Sequence, residues 1–415
     1  METERTPSYL EIIKSRQFWA FFGSALIVSV AYMDPGNFGT SIAAGSGFDY
    51  SLLWVVWLSS GMAMLFQYLS GKMGLAGYSL AEMIRLRWKN KKHVIAYWLL
   101  SEVSILATDL AELLGIAVAL NLLFGIPLII AAVLSIFDVL ILLLLARKEF
   151  RALEYAFIVF VSIIGIGYIY ELFITRPSLM KVAYHSVIPI LGSNMVFFAV
   201  GIIGATVMPH ALFVHSWLTK TKAKASKHGK KKMLKFHVTD TVISLFIAGL
   251  INAAILIMAA SAFYLHSAAV ATINQAYYTL IPLFGAAAST VFAITLLFSG
   301  ISSSITGTLA GQSIMESLTQ FRVSPMLRRI ITRFINLVPI VVFLSMKIGP
   351  LQILVYSQVI LSFLIPLPLI PLIYYTANKD VMKELVNKRL TTAVAAAFSF
   401  LIILLNVYLL YSIIL

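Results

Sequence analysis

Two short stretches carry residue types that can do coordination chemistry: Asp34-Pro35-Gly36-Asn37 and Met208-Pro209-His210, each inside an apolar segment. A proline within a helix lacks the N–H that would bond the carbonyl four residues earlier, and its ring pushes that carbonyl aside. The freed carbonyls here belong to Ala31 and Ala205. In hydrocarbon such groups are costly unless protein, a cavity or an ion satisfies them. A carboxylate (Asp34), an amide (Asn37) and a thioether (Met208) stand beside them. A thioether is a soft ligand that suits late, polarizable metals better than Mg²⁺ or Ca²⁺, which prefer oxygen shells. The set reads as a metal-ion site between two broken transmembrane helices. Asp-Pro-Gly is also a good turn and cap sequence, so Asp34 can cap the half-helix beginning near Asn37 while serving an ion.

A second group is acidic. Glu102, Asp109 and Glu112 lie in one apolar segment, and at about 100° per residue they point at roughly 0°, −20° and −80°, a single stripe on one helix face. Three carboxylates facing lipid would be expensive, so the stripe is expected to line a proton path or to pair with cations. Arg329 and Arg333, one helical turn apart, are the expected partners. His210 lies two positions from Met208 and points about 200° away from it, which suits proton handling better than ligation. Asn252, Gln358, Thr108 and Thr306 are buried polar candidates for the same cavity, although interhelical hydrogen bonding alone would explain any one of them. His210 and His215 are five apart and lack the HExxH pattern of a zinc protease. No nucleophile–base pair supports an enzyme, and with no cysteine there are neither disulfides nor thiolate metal sites.

The elements that position these residues follow from composition. Of 415 residues 60% are hydrophobic, mean hydropathy is +0.94, and apolar runs of about 20 residues, enough to span a bilayer, recur along the chain. Eleven spans are expected: 17–46 (broken), 51–73, 94–124, 126–146, 153–174, 186–218 (broken), 236–263, 280–318, 327–346, 350–375 and 390–414. The net charge of +14 would suggest nucleic acid in a soluble protein, but 27 of the 31 Lys and Arg fall before span 1 or in alternate loops, eight of them between Lys220 and Lys235. By the positive-inside rule the N-terminus is cytoplasmic and the C-terminus external, in a multi-pass cell-membrane protein whose basicity reports topology rather than a nucleic-acid partner. Anionic lipid headgroups are a secondary partner for the lysine-rich loop. The first residues, METERTPSYLEIIKSRQF, are acidic where a signal peptide is basic, so no cleavage is expected.

Spans 1–5 and 6–10 make two five-helix units, and an odd number of helices per unit forces the two into opposite orientations. Each opens on its proline-broken helix. Inverted repeats whose discontinuous first helices meet at the midplane describe a cation or amino-acid symporter architecture. The chain is read as one transmembrane domain over residues 1–415, with repeats at about 17–174 and 186–375 and an extra helix at 390–414.

The stretches AYMDPGNFGT (31–40), ATDLAELLG (107–115), GATVMPHALFVHS (204–216), SITGTLAGQ (304–312) and LRRIITR (327–333) resemble the natural resistance-associated macrophage protein (Nramp) family of proton-coupled divalent metal transporters. The resemblance implies an all-α, LeuT-like fold and uptake of Mn²⁺ or Fe²⁺, with Cd²⁺ and Co²⁺ also accepted, into the cytoplasm together with protons. It implies metal ligation by Asp34, Asn37, Met208 and the carbonyls of Ala31 and Ala205, with His210, Glu102, Asp109 and Glu112 near the proton route. Phe38 and Ala211 depart from the tryptophan and asparagine often found there, and neither removes a ligand.

The expected function is secondary active transport by alternating access, with metal and protons as substrates, no cofactor, and a monomer in the lipid bilayer. Three rivals are weighed against it. A Mg²⁺-transporting relative would gain nothing from Met208, and an amino-acid symporter would need a first broken helix free of an acid, against Asp34. A metal-gated channel or sensor differs in flux kinetics.

Overall fold

The structure, a computed structural model, describes residues 9–138, 150–226, 228–264 and 272–414. Among them there is helix but no strand. Numbering the helices by expected span, α1 is broken into α1a (Ser24–Ala31) and α1b (Pro35–Phe48), followed by α2 (Leu53–Ala76) and α3 (Lys91–Phe124). Helix α4 begins at Leu128–Leu134, and the rest of its expected range, from 139 on, lies outside the described residues. Helix α5 is Phe150–Thr175, α6 is broken into α6a (Val196–Thr206) and α6b (Pro209–Ala225), and α7 is Lys230–Ala259 with a π-helical turn Ala260–Tyr264. Then come α8 (Ala286–Thr319), α9 (Pro325–Ser345), α10 (Pro350–Leu364, continued by Pro366–Ala377) and α11 (Arg389–Ile414).

Two expected boundaries are corrected. Span 6 does not start at 186, because Leu179–Val187 is a separate amphipathic helix with no buried residue. It is tied down by Lys181 to Asp49 at 2.9 Å and by the Trp57 indole N–H to Ser186 at 3.0 Å. The Asp49 carboxylate beside it holds the Lys181 ammonium above its usual range. Span 8 does not start at 280, because Ile273–Phe284 is a second separate helix, ended at Gly285, whose φ of 91° glycine tolerates best. Eight described helices are long and apolar enough to cross a membrane. Breakage shortens α1, and buried Arg328, Arg329 and Arg333 lower the hydropathy of α9.

Both breaks are written locally. Pro35 and Pro209 each open a half-helix at its first turn, where a missing N–H costs nothing. Asp34 caps α1b by accepting from the Asn37 backbone N–H. Small residues let other backbones approach the breaks. A Cβ on Gly115 of α3 would lie 2.3 Å from the Pro35 ring, and one on Gly204 of α6a would lie 1.9 Å from the Gln358 carbonyl oxygen of α10.

Candidate metal site at the two helix breaks

The two breaks meet. Asp34 Oδ1 accepts from the Asn37 backbone N–H at 2.9 Å and from Asn37 Nδ2 at 3.0 Å. The same Nδ2 donates to the carbonyl of Ala205 at 2.8 Å, joining α1b to the end of α6a. Asp34, Asn37, Met208, Ala31 and Ala205 are all buried. Asp34 Oδ2 has no hydrogen-bond partner among the described residues. With the two amide hydrogens spent on Asp34 and Ala205, Asn37 has its Oδ1 left as a ligand atom. Among the described residues no group of three or more His, Cys, Asp or Glu is arranged to hold a metal. Whatever binds here therefore meets one carboxylate in a mixed set of amide, carbonyl and thioether.

Other carbonyls near the α1 break are satisfied by neighbouring helices. Asn252 Nδ2 of α7 donates to the Tyr32 carbonyl at 2.8 Å, and Ser299 Oγ of α8 donates to the Met33 carbonyl at 2.5 Å. Thr306, also on α8, donates to the Ile27 carbonyl of α1a at 3.0 Å. These bonds hold the unwound segment open, which answers the backbone cost that hydrocarbon imposes. Gln358 closes the site from α10: its Oε1 has no hydrogen-bond partner among the described residues, and its Nε2 donates to Ser357 Oγ at 3.0 Å. His210 meets α3, with its Nδ1 3.2 Å from Thr108 Oγ1, and its Nε2 has no hydrogen-bond partner among the described residues.

The acidic stripe of α3 is engaged by α9. Arg329 pairs with Asp109, with Glu112 at 3.4 Å and with Asp138 at 2.9 Å. Arg333 bonds Asp138 and lies 3.4 Å from Asp109. Asn336 Nδ2 donates to Asp109 Oδ2 at 2.8 Å. Glu102, expected beside Arg329 or Arg333, instead bonds Arg328 at 2.6 Å and the Trp98 indole at 2.7 Å. The reason is helical: Glu102 is two turns from Asp109 along α3, and Arg328 sits at the matching end of α9.

A family profile described as natural resistance-associated macrophage protein-like matches residues 25–412. The chain belongs to the Nramp family. It is 43% identical over 394 residues to a "Divalent metal cation transporter MntH" of Granulibacter bethesdensis, covering 94% of this chain and 88% of that one. It is similar to the crystal structure of the Eremococcus coleocola manganese transporter at TM-score 0.85 and 32% identity, over 97% of this chain and 88% of that one. A looser likeness to Mhp1, a nucleobase-cation-symport-1 family transporter, has TM-score 0.61 at 18% identity over 94% of this chain and 89% of that one, and bears on the fold alone. The architecture is that of the LeuT-like transporters, and these Nramp relatives are named as transporters rather than enzymes.

Sequence reasoning missed three members of the Nramp chain's ionic network: Asp138, Arg328 and Asn336. Asp138 had a usable signal, since an acid in the run IFDVLILLLL must find a cation. Two cavities flank the core. One of about 940 Å³ is lined by Glu82, Arg85, Lys220, Lys224 and Glu316 among others. The other, of about 380 Å³, lies between α1b, α6a and α10. Neither is lined by Asp34, Asn37 or Met208.

Gly36 leaves no room for a side chain unless Gln358 moves away from the site. A Cβ there would lie 1.8 Å from Gln358 Nε2 and 2.9 Å from Asp34 Oδ2. Gly36→Ala is expected to lower metal uptake at least tenfold while Gly47→Ala, with open space at its Cβ, leaves it unchanged. Initial uptake rates in vesicles at matched expression check this.

Proposed function

We propose that the chain is a secondary active transporter that imports divalent transition-metal ions, Mn²⁺ or Fe²⁺ and also Cd²⁺ and Co²⁺, into the cytoplasm with protons by alternating access. The observation that carries this reading is the Asn37 amide, which holds the Asp34 carboxylate and the Ala205 carbonyl together across the two breaks. Asp34, Asn37, Met208 and the carbonyls of Ala31 and Ala205 hold the ion. Asp34 offsets one of its two charges, and the thioether supplies the one soft contact. Asn252 and Gln358 position the ligands from behind. His210, Asp109, Glu112 and Glu102, with Arg329 and Arg333, handle the proton; His210 meets Thr108 of α3 one residue from Asp109, so the α6 break and the ionic network lie against the same helix. The names of the relatives support a divalent metal, and the manganese transporter of like structure supports Mn²⁺.

The distribution of basic residues supports an N-terminus in the cytoplasm and a C-terminus outside, in the cell membrane. The chain acts as one domain and as a monomer, its two five-helix repeats at about 17–174 and 186–375 rocking around the fixed site. Recording Mn²⁺ entry and internal acidification in the same proteoliposomes tests the coupling. Saturable entry that acidifies the lumen is expected, and entry without acidification removes the proton from the account.

Met208→Ala is expected to damage selectivity more than total binding. The oxygen ligands that remain serve Ca²⁺ and Mg²⁺ as well as they serve Mn²⁺. Discrimination against the hard ions should fall by about tenfold, or about 1.4 kcal/mol, with Cd²⁺ affected most. Competition of Ca²⁺ against Cd²⁺ uptake in parent and variant measures it. Unchanged competition would make Met208 a packing residue.

A further inference from the structure

One buried acid has no place in the network above. Glu171 lies one turn from the outer end of α5, on the stripe Ile164, Tyr168, Glu171 and Thr175 that faces the protein. It is 0% exposed, and neither carboxylate oxygen has a hydrogen-bond partner among the described residues. The Tyr168 hydroxyl, on the same face, is also unpartnered. Thr295 of α8 stands beside Tyr168; its hydroxyl donates to the Phe292 carbonyl at 2.8 Å, which leaves it only as an acceptor toward the Tyr168 O–H and gives Glu171 no donor.

Among the described residues the helices packed on α5 offer Glu171 no counter-charge along the stretches that face it. Helix α5 packs on α8, α7 and α1a, and through Tyr168 it reaches Phe38 of α1b, the ring centroids 5.4 Å apart. Residues 24–31 and 35–48 of α1, 241–263 of α7 and 286–315 of α8 contain no Asp, Glu, Lys, Arg or His. The titratable groups of those elements lie outside these stretches: Tyr32, Asp34 and Asp49 on α1, Lys230, Lys231, Lys232, Lys235, His237 and Asp240 in the inner part of α7 with Tyr264 at its outer end, and Glu316 on α8. An ionised carboxylate in such surroundings has nothing to offset its desolvation. A divalent metal is a poor occupant, because octahedral ions need about six oxygens and Glu171 with Tyr168 offers three. A proton needs one.

We propose that Glu171 is a proton-carrying acid of this transporter, on the outer side of the metal site and separate from the α3–α9 network. Phe38 is one turn outward of Asp34 on α1b, Tyr168 meets it, and Glu171 is one turn further out, roughly 10 Å beyond Asp34 along the helices. Movement of α1b would slide Phe38 past Tyr168 and admit external water to the carboxyl. The proton is then taken from that water on one side of the cycle and returned to water on the other, with no other bond changed. The proposal rests on the reading of the chain as a proton-coupled importer, but its test can be read without transport.

Infrared difference spectra of the purified protein between acidic and alkaline pH, with the parent compared against Glu171→Gln, provide that test. The C=O stretch of a buried protonated carboxyl, shifted in D₂O, is expected in the parent and lost in the variant. In proteoliposomes the variant is expected to keep the parent's Mn²⁺ affinity and lose part of the rise of uptake at acidic external pH. If the band survives in Glu171→Gln, or is absent from the parent, the proposal is overturned whatever the transport data show. If the band is lost but the pH profile is the parent's, Glu171 binds a proton without carrying it and the proposal is again overturned. A parent whose uptake ignores pH sinks the coupled reading itself, recognisably, because the infrared arm stands apart from it. Should Glu171→Gln not fold, Glu171→Met, which keeps the volume and removes the acid, is scored the same way.

Discussion

Asp34→Ala is expected to abolish Mn²⁺ binding and uptake while leaving the helices folded. Asp34 is the only acid at the two breaks, so its removal takes away the whole formal charge that meets a divalent cation. Its Oδ1 also receives both the backbone N–H and the side-chain amide of Asn37. Without it the amide loses one of the two anchors that hold it toward the Ala205 carbonyl. The structural cost is that of a lost helix cap, about 1 kcal/mol, which a buried transmembrane bundle tolerates. Calorimetric titration of the purified variant with Mn²⁺, alongside thermal melting, separates the two effects. Unchanged affinity would falsify the site assignment.

Arg329→Gln is expected to produce the largest loss of stability of any single change discussed. Its guanidinium meets Asp109, Glu112 and Asp138 in surroundings where Arg329 is only 3% exposed. Removing one partner of a buried ionic cluster leaves uncompensated charge and costs about 3–5 kcal/mol. Arg333 partly remains for Asp109 and Asp138 but is not within ion-pair reach of Glu112. Arg329→Lys keeps the charge without the planar fork and should fall between parent and glutamine. Thermal unfolding in one detergent ranks the three, and a glutamine variant melting with the parent would contradict the account.

The site was more legible in the sequence than the frame around it. Pro35 and Pro209 announce their breaks because a proline inside an apolar run has few structural explanations, and Asp34, Asn37 and Met208 lie within three residues of one or the other. The acidic stripe was legible because helical geometry alone places Glu102, Asp109 and Glu112 on one face. Its partners were not, because pairing depends on how α9 slides along α3, and a shift of one residue gives Glu102 to Arg328 instead of Arg329. Asp138 and Glu171 share no helix face with another acid of their segments, so no periodicity singles them out. The starts of spans 6 and 8 were misplaced because Leu179–Val187 and Ile273–Phe284 are apolar enough to read as continuations. Only Gly285 and the tether from Lys181 to Asp49 show where each chain turns. The Asn37 bridge to Ala205 could not be read at all, since it depends on two segments far apart in the chain meeting in space.

The central claim is that a mixed oxygen and thioether set at the two breaks selects transition metals for proton-driven import. Uptake of Mn²⁺, Cd²⁺, Ca²⁺ and Mg²⁺ into proteoliposomes, each with and without an inward proton gradient, tests it most directly. Saturable Mn²⁺ and Cd²⁺ uptake that the gradient accelerates, with Ca²⁺ and Mg²⁺ largely excluded, is the predicted result. Mg²⁺ or Ca²⁺ entering as readily as Mn²⁺, or metal uptake indifferent to the gradient, would contradict it.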